Sequence, residues 1–461
     1  MDHSGKVEAV PKHVIALGIT SLALFFWLFV CFEVKGPQWI MVPQDLGYTY
    51  VLNGLSVILD RTLGVLIHPG ITVSYAYAAL IYSYYQIVGV GTLETHVVEN
   101  AETYAVLVST VTTFGIAIGS YFLGRSVYKL TKKILYAVIT VFVLFLIPTK
   151  YLPLVAFGSP ESFILTILPF IAGIACLRSC DHVSSRTFIF SSAILCAVAV
   201  GAKFIAAPIL ILPFLVSRGF KEKFQFSVAV LLALLFVFAP IYLDGSHLHI
   251  FRGYMDGLFS SAKLERVQTE QYFFVFQVLD RTFGQLSRVP VFCFLLIIQI
   301  LVFPFVRPGN FCVDYTLHKT ARFNAYLLAT ICITVAFLAV RPKTSYFLTF
   351  TSLQGTAIAI SLYLLHVRVS LMNLNQRFKN LISISVVIVL GSVVLVGISI
   401  ATNGLSILNG QRIQSMRAND IIDQEKNRHA LVTAVSSSHI STAFEHANQT
   451  SRFFYAHEID K

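Results

Sequence analysis

The stretch Ile71-Thr72-Val73-Ser74-Tyr75-Ala76-Tyr77-Ala78-Ala79-Leu80-Ile81-Tyr82-Ser83-Tyr84-Tyr85-Gln86-Ile87-Val88-Gly89-Val90 decides how this chain is threaded. A helix rises 1.5 Å per residue, so a segment of this length could cross a hydrocarbon core of about 30 Å. If it did, Arg125, Lys129, Lys132 and Lys133 would face outward and the acidic loop Glu94, Glu99 and Glu102 would face inward. Both placements oppose the bias of Lys and Arg toward the cytoplasmic side. The segment is also rich in tyrosine, at 75, 77, 82, 84 and 85, which suits a water–lipid boundary. We therefore read 71–90 as a helix lying on, or dipping into, the outer leaflet.

The surrounding chain reads as a polytopic α-helical membrane protein. Of its 461 residues 56% are hydrophobic and only 12% are charged, against about 25% charged in soluble domains. Hydropathy places about eleven transmembrane spans, at 13–34, 104–124, 134–149, 162–177, 187–201, 205–216, 224–242, 289–306, 323–340, 345–365 and 380–401. The first follows a short basic segment, Lys6 and Lys12. Glu33-Val34-Lys35-Gly36 offers no small-residue cleavage site, so it reads as a retained anchor. Residues 1–401 form the transmembrane domain, with long outer loops at 35–103 and 243–288 and an outer tail at 402–461.

The charge distribution agrees with that threading. The N-terminus and the loops near 125–133, 178–186, 217–223, 307–322 and 366–379 hold 17 Lys+Arg and 5 Asp+Glu, a net of +12. Everything else carries a net of −1, which recovers the overall +11. The N-terminus is expected in the cytoplasm, the C-terminus outside, and the chain in the inner (plasma) membrane. Bases facing anionic lipid account for the pI of 9.3 without nucleic acid as a partner. The seven cysteines, 31, 176, 180, 196, 293, 312 and 332, fall in apolar runs or short basic loops, so no disulfide framework is expected. Cys176 and Cys180, beside Asp181 and His182, read as a reduced helix end rather than a metal site.

Ionisable residues at or inside a membrane are costly and tend to be functional. Several collect at the outer face on this threading: Asp45 and His68 in the first outer loop, Glu161 at the start of a span, Lys203 between two short apolar runs, and Arg341 and Lys343 in a tight outer turn. Singly, each has a structural explanation, such as helix capping for Asp45, a first-turn acid for Glu161 or snorkelling for Lys203. Together, two carboxylates and several cations suit transfer from a lipid phosphate. The cations would hold the phosphate, and a carboxylate would take the proton of the attacking hydroxyl.

These residues, in the order Asp45-Leu46-Gly47-Tyr48, His68-Pro69-Gly70, Ser159-Pro160-Glu161, Gly201-Ala202-Lys203 and Pro342-Lys343-Thr344-Ser345-Tyr346-Phe347-Leu348, resemble the GT-C superfamily of polyprenyl-phosphate-sugar-dependent glycosyltransferases. Protein O-mannosyltransferases and the aminoarabinose transferase of lipid A belong to that superfamily. The resemblance covers roughly residues 13–366. It implies a GT-C-like bundle with juxtamembrane helices in the first outer loop. It further implies Asp45 as base, Glu161 as second acid and Lys203 and Lys343 at the donor phosphate; we expect His68 and Arg341 to complete that phosphate clamp and Tyr48 and Tyr346 to position the substrate.

The implied donor is a polyprenyl-phosphate-linked sugar. The acceptor would be a glycan, lipid or protein on the extracytoplasmic face, reached with inversion. Many members carry Asp-Glu where Asp45-Leu46 stands, and Glu161 replaces a common aspartate, so the carboxylates are too few to imply a divalent metal site like the family's. A transporter or flippase of a lipid-linked glycan would need a polar path through the bundle, and the expected spans are nearly free of mid-membrane charge. A lipid-linked glycan polymerase or ligase would instead centre its chemistry on 243–288.

Overall fold

The computed structural model describes residues 11–35, 48–61, 70–146, 158–243, 290–311, 314–339 and 350–371, with isolated positions at 406, 409 and 413. The described elements are all helical: α1 Lys12–Lys35, α2 Tyr48–Ile58, α3 Ile71–Val88, α4 Leu93–Glu99, α5 Ala101–Thr131 and α6 Ile134–Phe142. There follow α7 Pro160–Ser179, α8 Ser185–Ala202, α9 Ile211–Val216, α10 Gly219–Val237, α11 Ala239–Leu243, α12 Pro290–Val306, α13 Tyr315–Ala339 and α14 Thr351–Leu371. By length and composition, α1, α5, α7, α8 and α13 are able to cross a membrane.

The expected spans fit these helices unevenly. The run 205–216 is not one α-helix: it opens as a 3₁₀ segment, Phe204–Leu210, containing Pro208, and only Ile211–Val216 is α. Proline lacks the N–H that an α-ladder needs. The span placed at 345–365 is displaced to Thr351–Leu371, and that placed at 323–340 begins earlier, at Tyr315. The span 380–401, the loop 244–288 and nearly all of the tail 402–461 lie outside the described residues.

Helix α5 is the spine of the bundle, packed along α7, α1 and α6; α7 packs on α8, α8 on α10, and α14 on α6, α12 and α13. Close approach of α5 and α7 depends on small residues. A Cβ on Gly119 would stand 3.0 Å from the Thr166 carbonyl oxygen, and one on Gly115 would stand 2.6 Å from Thr166 Cγ2. Thr166 Oγ1 in turn donates to the Thr112 carbonyl across the seam at 3.2 Å. Without a hydrophobic drive between helices in lipid, such backbone proximity is what holds them together. On the other side, α12, α13 and α14 share a buried, uncharged clasp: Asn324 Nδ2 donates to Ser361 Oγ at 2.9 Å, and Ser361 donates to Gln299 Oε1 at 3.2 Å.

The helix α3 does not run alongside the spanning helices. Thr72 Oγ1 near its start donates to the Val198 carbonyl, in the last turns of α8. Tyr77 Oη donates to the Gly158 carbonyl, just before α7, and Tyr84 meets Tyr104 in the first turn of α5 edge to face. Thr72 and Tyr84 are about 18 Å apart along a helix, yet they touch ends of α8 and α5 that lie at the same end of the bundle. α3 is thus laid across that end, and its own tip, with Ile87 and Val90, is exposed.

The opposite end gathers bases. Arg178, in the last turn of α7, makes a two-pronged bond to Glu222 of α10, at 3.0 and 3.1 Å. Asp181, in left-handed backbone at φ 63°, pairs with both Arg218 and Lys319. Lys319 is the principal cause that holds the Asp181 carboxyl below its ordinary range. Burial opposes ionisation of Glu222, but the bonds from Arg178 and the Arg218 amide outweigh it, so that carboxyl is also held low.

Depressed carboxyl values mean that the bonds contribute fully above the ordinary range and are lost as pH falls through it. Acidification below about pH 4.5 is therefore expected to lower the thermal midpoint of the detergent-solubilised protein. The fall should be shallower in Asp181→Asn/Glu222→Gln. Equal acid slopes for the two proteins would show that this network contributes nothing to folding.

Candidate functional site

The segment ahead of α7 folds as its sequence dictates. Gly158 adopts φ 62°, a region that suits glycine. Ser159 is the N-cap, its Oγ accepting from the Ser162 amide at 3.2 Å, and Pro160 fills the first helical position, where no N–H is required. Glu161 follows in the first turn, where the helix dipole favours a carboxylate. On the other strand of the site, α8 stops at Ala202. Lys203 is its C-cap in extended backbone (φ −163°, ψ 132°), donating its amide to the Ala199 carbonyl at 3.1 Å.

Between these helix ends, Lys203 Nζ lies 2.6 Å from Glu161 Oε1. The two side chains are only 7% and 9% exposed. The second carboxylate oxygen, Glu161 Oε2, is buried without a hydrogen-bond partner among the described residues. α3 closes one side of the pair. A Cβ on Gly201 would come within 2.8 Å of Thr72 Cγ2, so α8 can approach α3 this closely only because residue 201 is glycine.

An ion pair withdrawn from water costs several kcal/mol per charge, which mutual attraction repays only with good geometry. Here the geometry is short and direct, and its net charge is zero. As a result, Lys203 does not face a ligand as an uncompensated cation. What the pair offers is a fixed carboxylate with one oxygen whose bonding capacity is unused among the described residues.

Of the other sequence-assigned residues, Tyr48 is described, and its hydroxyl is already engaged. It donates to Glu102 Oε2 in the first turn of α5. Burial first, and then the Glu102 carboxylate, holds the Tyr48 phenol above its ordinary value, so it acts as a donor. Nearby, His96 Nδ1 and Tyr104 Oη share a bond of 2.9 Å, and Arg61 pairs with Glu94 at 3.0 Å to join the end of α2 to α4. Asp45, His68, Arg341, Lys343 and Tyr346 lie outside the described residues.

The residues that sequence reasoning missed are Glu102, Thr72, Tyr77 and Gly158. Glu102 stood in the acidic loop 94–102, and only the packing of α2 on α5 shows that it takes up Tyr48. Gly158 carries no reactive group in the sequence; its left-handed backbone leads into the cap and its carbonyl accepts from Tyr77. Among the described residues no group of three or more His, Cys, Asp or Glu is arranged to hold a metal ion.

No family model and no curated protein matches this sequence. Among solved structures, the chain is similar to the oligosaccharyltransferase of Archaeoglobus fulgidus in complex with Zn and sulfate. The two are 13% identical, with a TM-score of 0.46 over 82% of this chain and 53% of that one. It is similar also to the archaeal oligosaccharyltransferase AglB from the same organism, in complex with an inhibitory peptide and a dolichol-phosphate. That match has 12% identity and a TM-score of 0.47 over 84% of this chain and 56% of that one. The chain thus spans about half the length of these structures.

Two outcomes test the geometry. Glu161→Leu and Lys203→Met should each cost about 3–5 kcal/mol by stranding a buried charge, while the double variant recovers most of that loss. Additive losses in reversible unfolding would mean that the charges are not coupled. Gly158→Ala should cost more than Gly219→Ala. Both glycines have positive φ, but a Cβ at 158 would run into Tyr77 Oη and one at 219 meets open space. The difference is expected to be about 1 kcal/mol, the worth of the displaced Tyr77 hydrogen bond; equal losses would remove that bond from the account.

Proposed function

We propose that this chain is an integral membrane glycosyltransferase that moves a sugar from a polyprenyl-phosphate carrier to a glycan, lipid or protein acceptor at the bundle end covered by α3. The observation that carries the reading is the buried Glu161–Lys203 pair beneath α3, with Glu161 Oε2 left without a hydrogen-bond partner among the described residues. A structural ion pair alone would not need an unpartnered buried oxygen.

In the proposed reaction, the Asp45 carboxylate takes the proton of the acceptor hydroxyl as its oxygen attacks the anomeric carbon. The bond from that carbon to the phosphate oxygen breaks, inverting the centre, and the polyprenyl phosphate leaves as the anion. Glu161 accepts from a sugar or acceptor hydroxyl and so fixes the angle of attack. Because Lys203 is neutralised by Glu161, the net positive charge for the leaving phosphate falls to His68, Arg341 and Lys343. Lys203 orients Glu161 rather than serving as the main clamp. This assigns the end bearing Glu161 to the extracytoplasmic face and the end bearing Arg178 and Lys319 to the cytoplasm.

The test uses purified protein in vesicles with a radiolabelled polyprenyl-phosphate hexose, following both label transfer and release of the carrier phosphate. Asp45→Asn should lower transfer by at least about 100-fold while donor retention stays within about twofold. Wild-type turnover in that variant would remove the base assignment. Label that crosses the vesicle without forming a glycosidic bond would favour a flippase.

A further inference from the structure

Of the bases at the end of the bundle opposite α3, Arg178 pairs with Glu222, and Arg218 and Lys319 share Asp181. At the corner where the start of α1 meets the turn between α5 and α6, Lys12, Arg125, Lys129, Lys132 and Lys133 gather, and none of them pairs with a carboxylate among the described residues. Ring stacking of His13 on Tyr128, with centroids 4.0 Å apart, ties the start of α1, which carries Lys12, to the last turns of α5, which carry Lys129.

Three local choices at this corner work against stability. Lys132 is the C-cap of α5 at φ 56°, a left-handed position where glycine costs least. The connection to α6 is only Lys132-Lys133, two adjacent like charges, held by the Lys133 amide donating to Thr131 Oγ1 at 3.3 Å. Arg125 and Lys129 stand four residues apart on one helix, a destabilising spacing for like charges. The charge of Lys132 also reaches Cys180. Against burial, that thiol is held below its ordinary value first by a bond from Cys176, then by Lys132 and Lys319. A sequence selected for folding alone would place an acid or a glycine somewhere in this set.

Exposed apolar side chains adjoin the cations. Ile134 and Leu135 open α6, and Ile15, Ile19 and Leu22 begin an exposed stripe along α1. Cations in a fixed turn, bordered by apolar faces running along the helices, match a molecule with an anionic head and acyl chains.

We propose that the α1–α5–α6 corner is a binding site for an anionic phospholipid, its phosphate held by Lys12, Arg125, Lys129, Lys132 and Lys133 and its chains lying on α1 and α6. The site is a discrete one, separate from the general excess of bases, and it is independent of the catalytic reading.

The experiment is native mass spectrometry of the whole chain released from detergent with phosphatidylglycerol, cardiolipin or phosphatidylcholine. The wild type should retain the anionic lipids preferentially. Lys129→Gln/Lys132→Gln/Lys133→Gln should lose at least about tenfold in apparent affinity for them, at roughly 1 kcal/mol per surface base. Arg186→Gln/Lys221→Gln/Lys223→Gln removes the same charge from the neighbouring corner and should change retention little. Equal loss in the two triples would reduce the site to bulk positive charge and overturn it. Raised salt applied to the wild type needs no variant and should bring anionic retention down to the phosphatidylcholine level; retention that ignores salt would overturn the assignment to cations. Full displacement by millimolar glycerol phosphate would overturn the lipid as occupant in favour of a soluble phosphate.

Discussion

The contact between Lys203 and Glu161 constrains several of the described elements at once. It joins the C-terminal end of α8 to the N-terminal end of α7, two helices connected at their far ends by the short turn through Asp181 and His182. With both ends of the helix pair fixed, their relative height is set to within a hydrogen bond. α3 then rests on the result: Thr72 bonds the last turns of α8, and Tyr77 bonds the residue that precedes the α7 cap. Were the pair to open, each charge would be left in a site less than a tenth exposed, so the alternative arrangement is penalised heavily rather than merely less favoured.

The same logic, applied at the other end, gives a different outcome because water is near. Asp181 is about 44% exposed, and its bonds to Arg218 and Lys319 are worth correspondingly little each. Their value lies in geometry. They tie α10 and α13 to the end of α7, and together with the Arg178–Glu222 fork they fix where the basic loops sit. Asp181 and Glu222 take up Arg178, Arg218 and Lys319 on that side, whereas the bases at the neighbouring corner of α1, α5 and α6 meet no carboxylate among the described residues.

Much of this arrangement was legible in the sequence, and the reason is physical. Charge that cannot enter a bilayer must lie at one end or the other, so counting bases along the chain assigns ends to loops before any packing is known. Glu161 and Lys203, 42 positions apart, were placed at one face by that count, and the structure brings their side chains together. The tyrosine-rich helix was assigned away from the spans for the same reason, and α3 lies across the bundle end. What was not legible depends on which side chain finds which. Tyr48 could be assigned a role facing a substrate, but the packing of α2 against α5 hands its hydroxyl to Glu102. The run Phe204–Val216 reads as one apolar helix in hydropathy, which is blind to the missing N–H of Pro208. The placement of α14 has a different origin, because a hydropathy count ends a span ahead of His366 and Arg368, whereas the helix continues through them to Leu371.

The neutrality of the Glu161–Lys203 pair changes what a sequence-level list of charges is able to say about chemistry. Two acids and four cations near one face look like a surplus of positive charge ready for a phosphate. Once one cation is committed to one acid, the surplus depends on how the remaining cations are held, and the committed acid becomes a rigid acceptor. Fixing a carboxylate this way uses the lysine as a positioning group, much as a second ligand shell orients a first. A site built so would select its substrate by the direction of a hydroxyl at Glu161 Oε2, and would hold an anion only where further bases reach it. The charge that a lysine carries is therefore a poor guide to its role until its partner is known, and here the partner is within 2.6 Å.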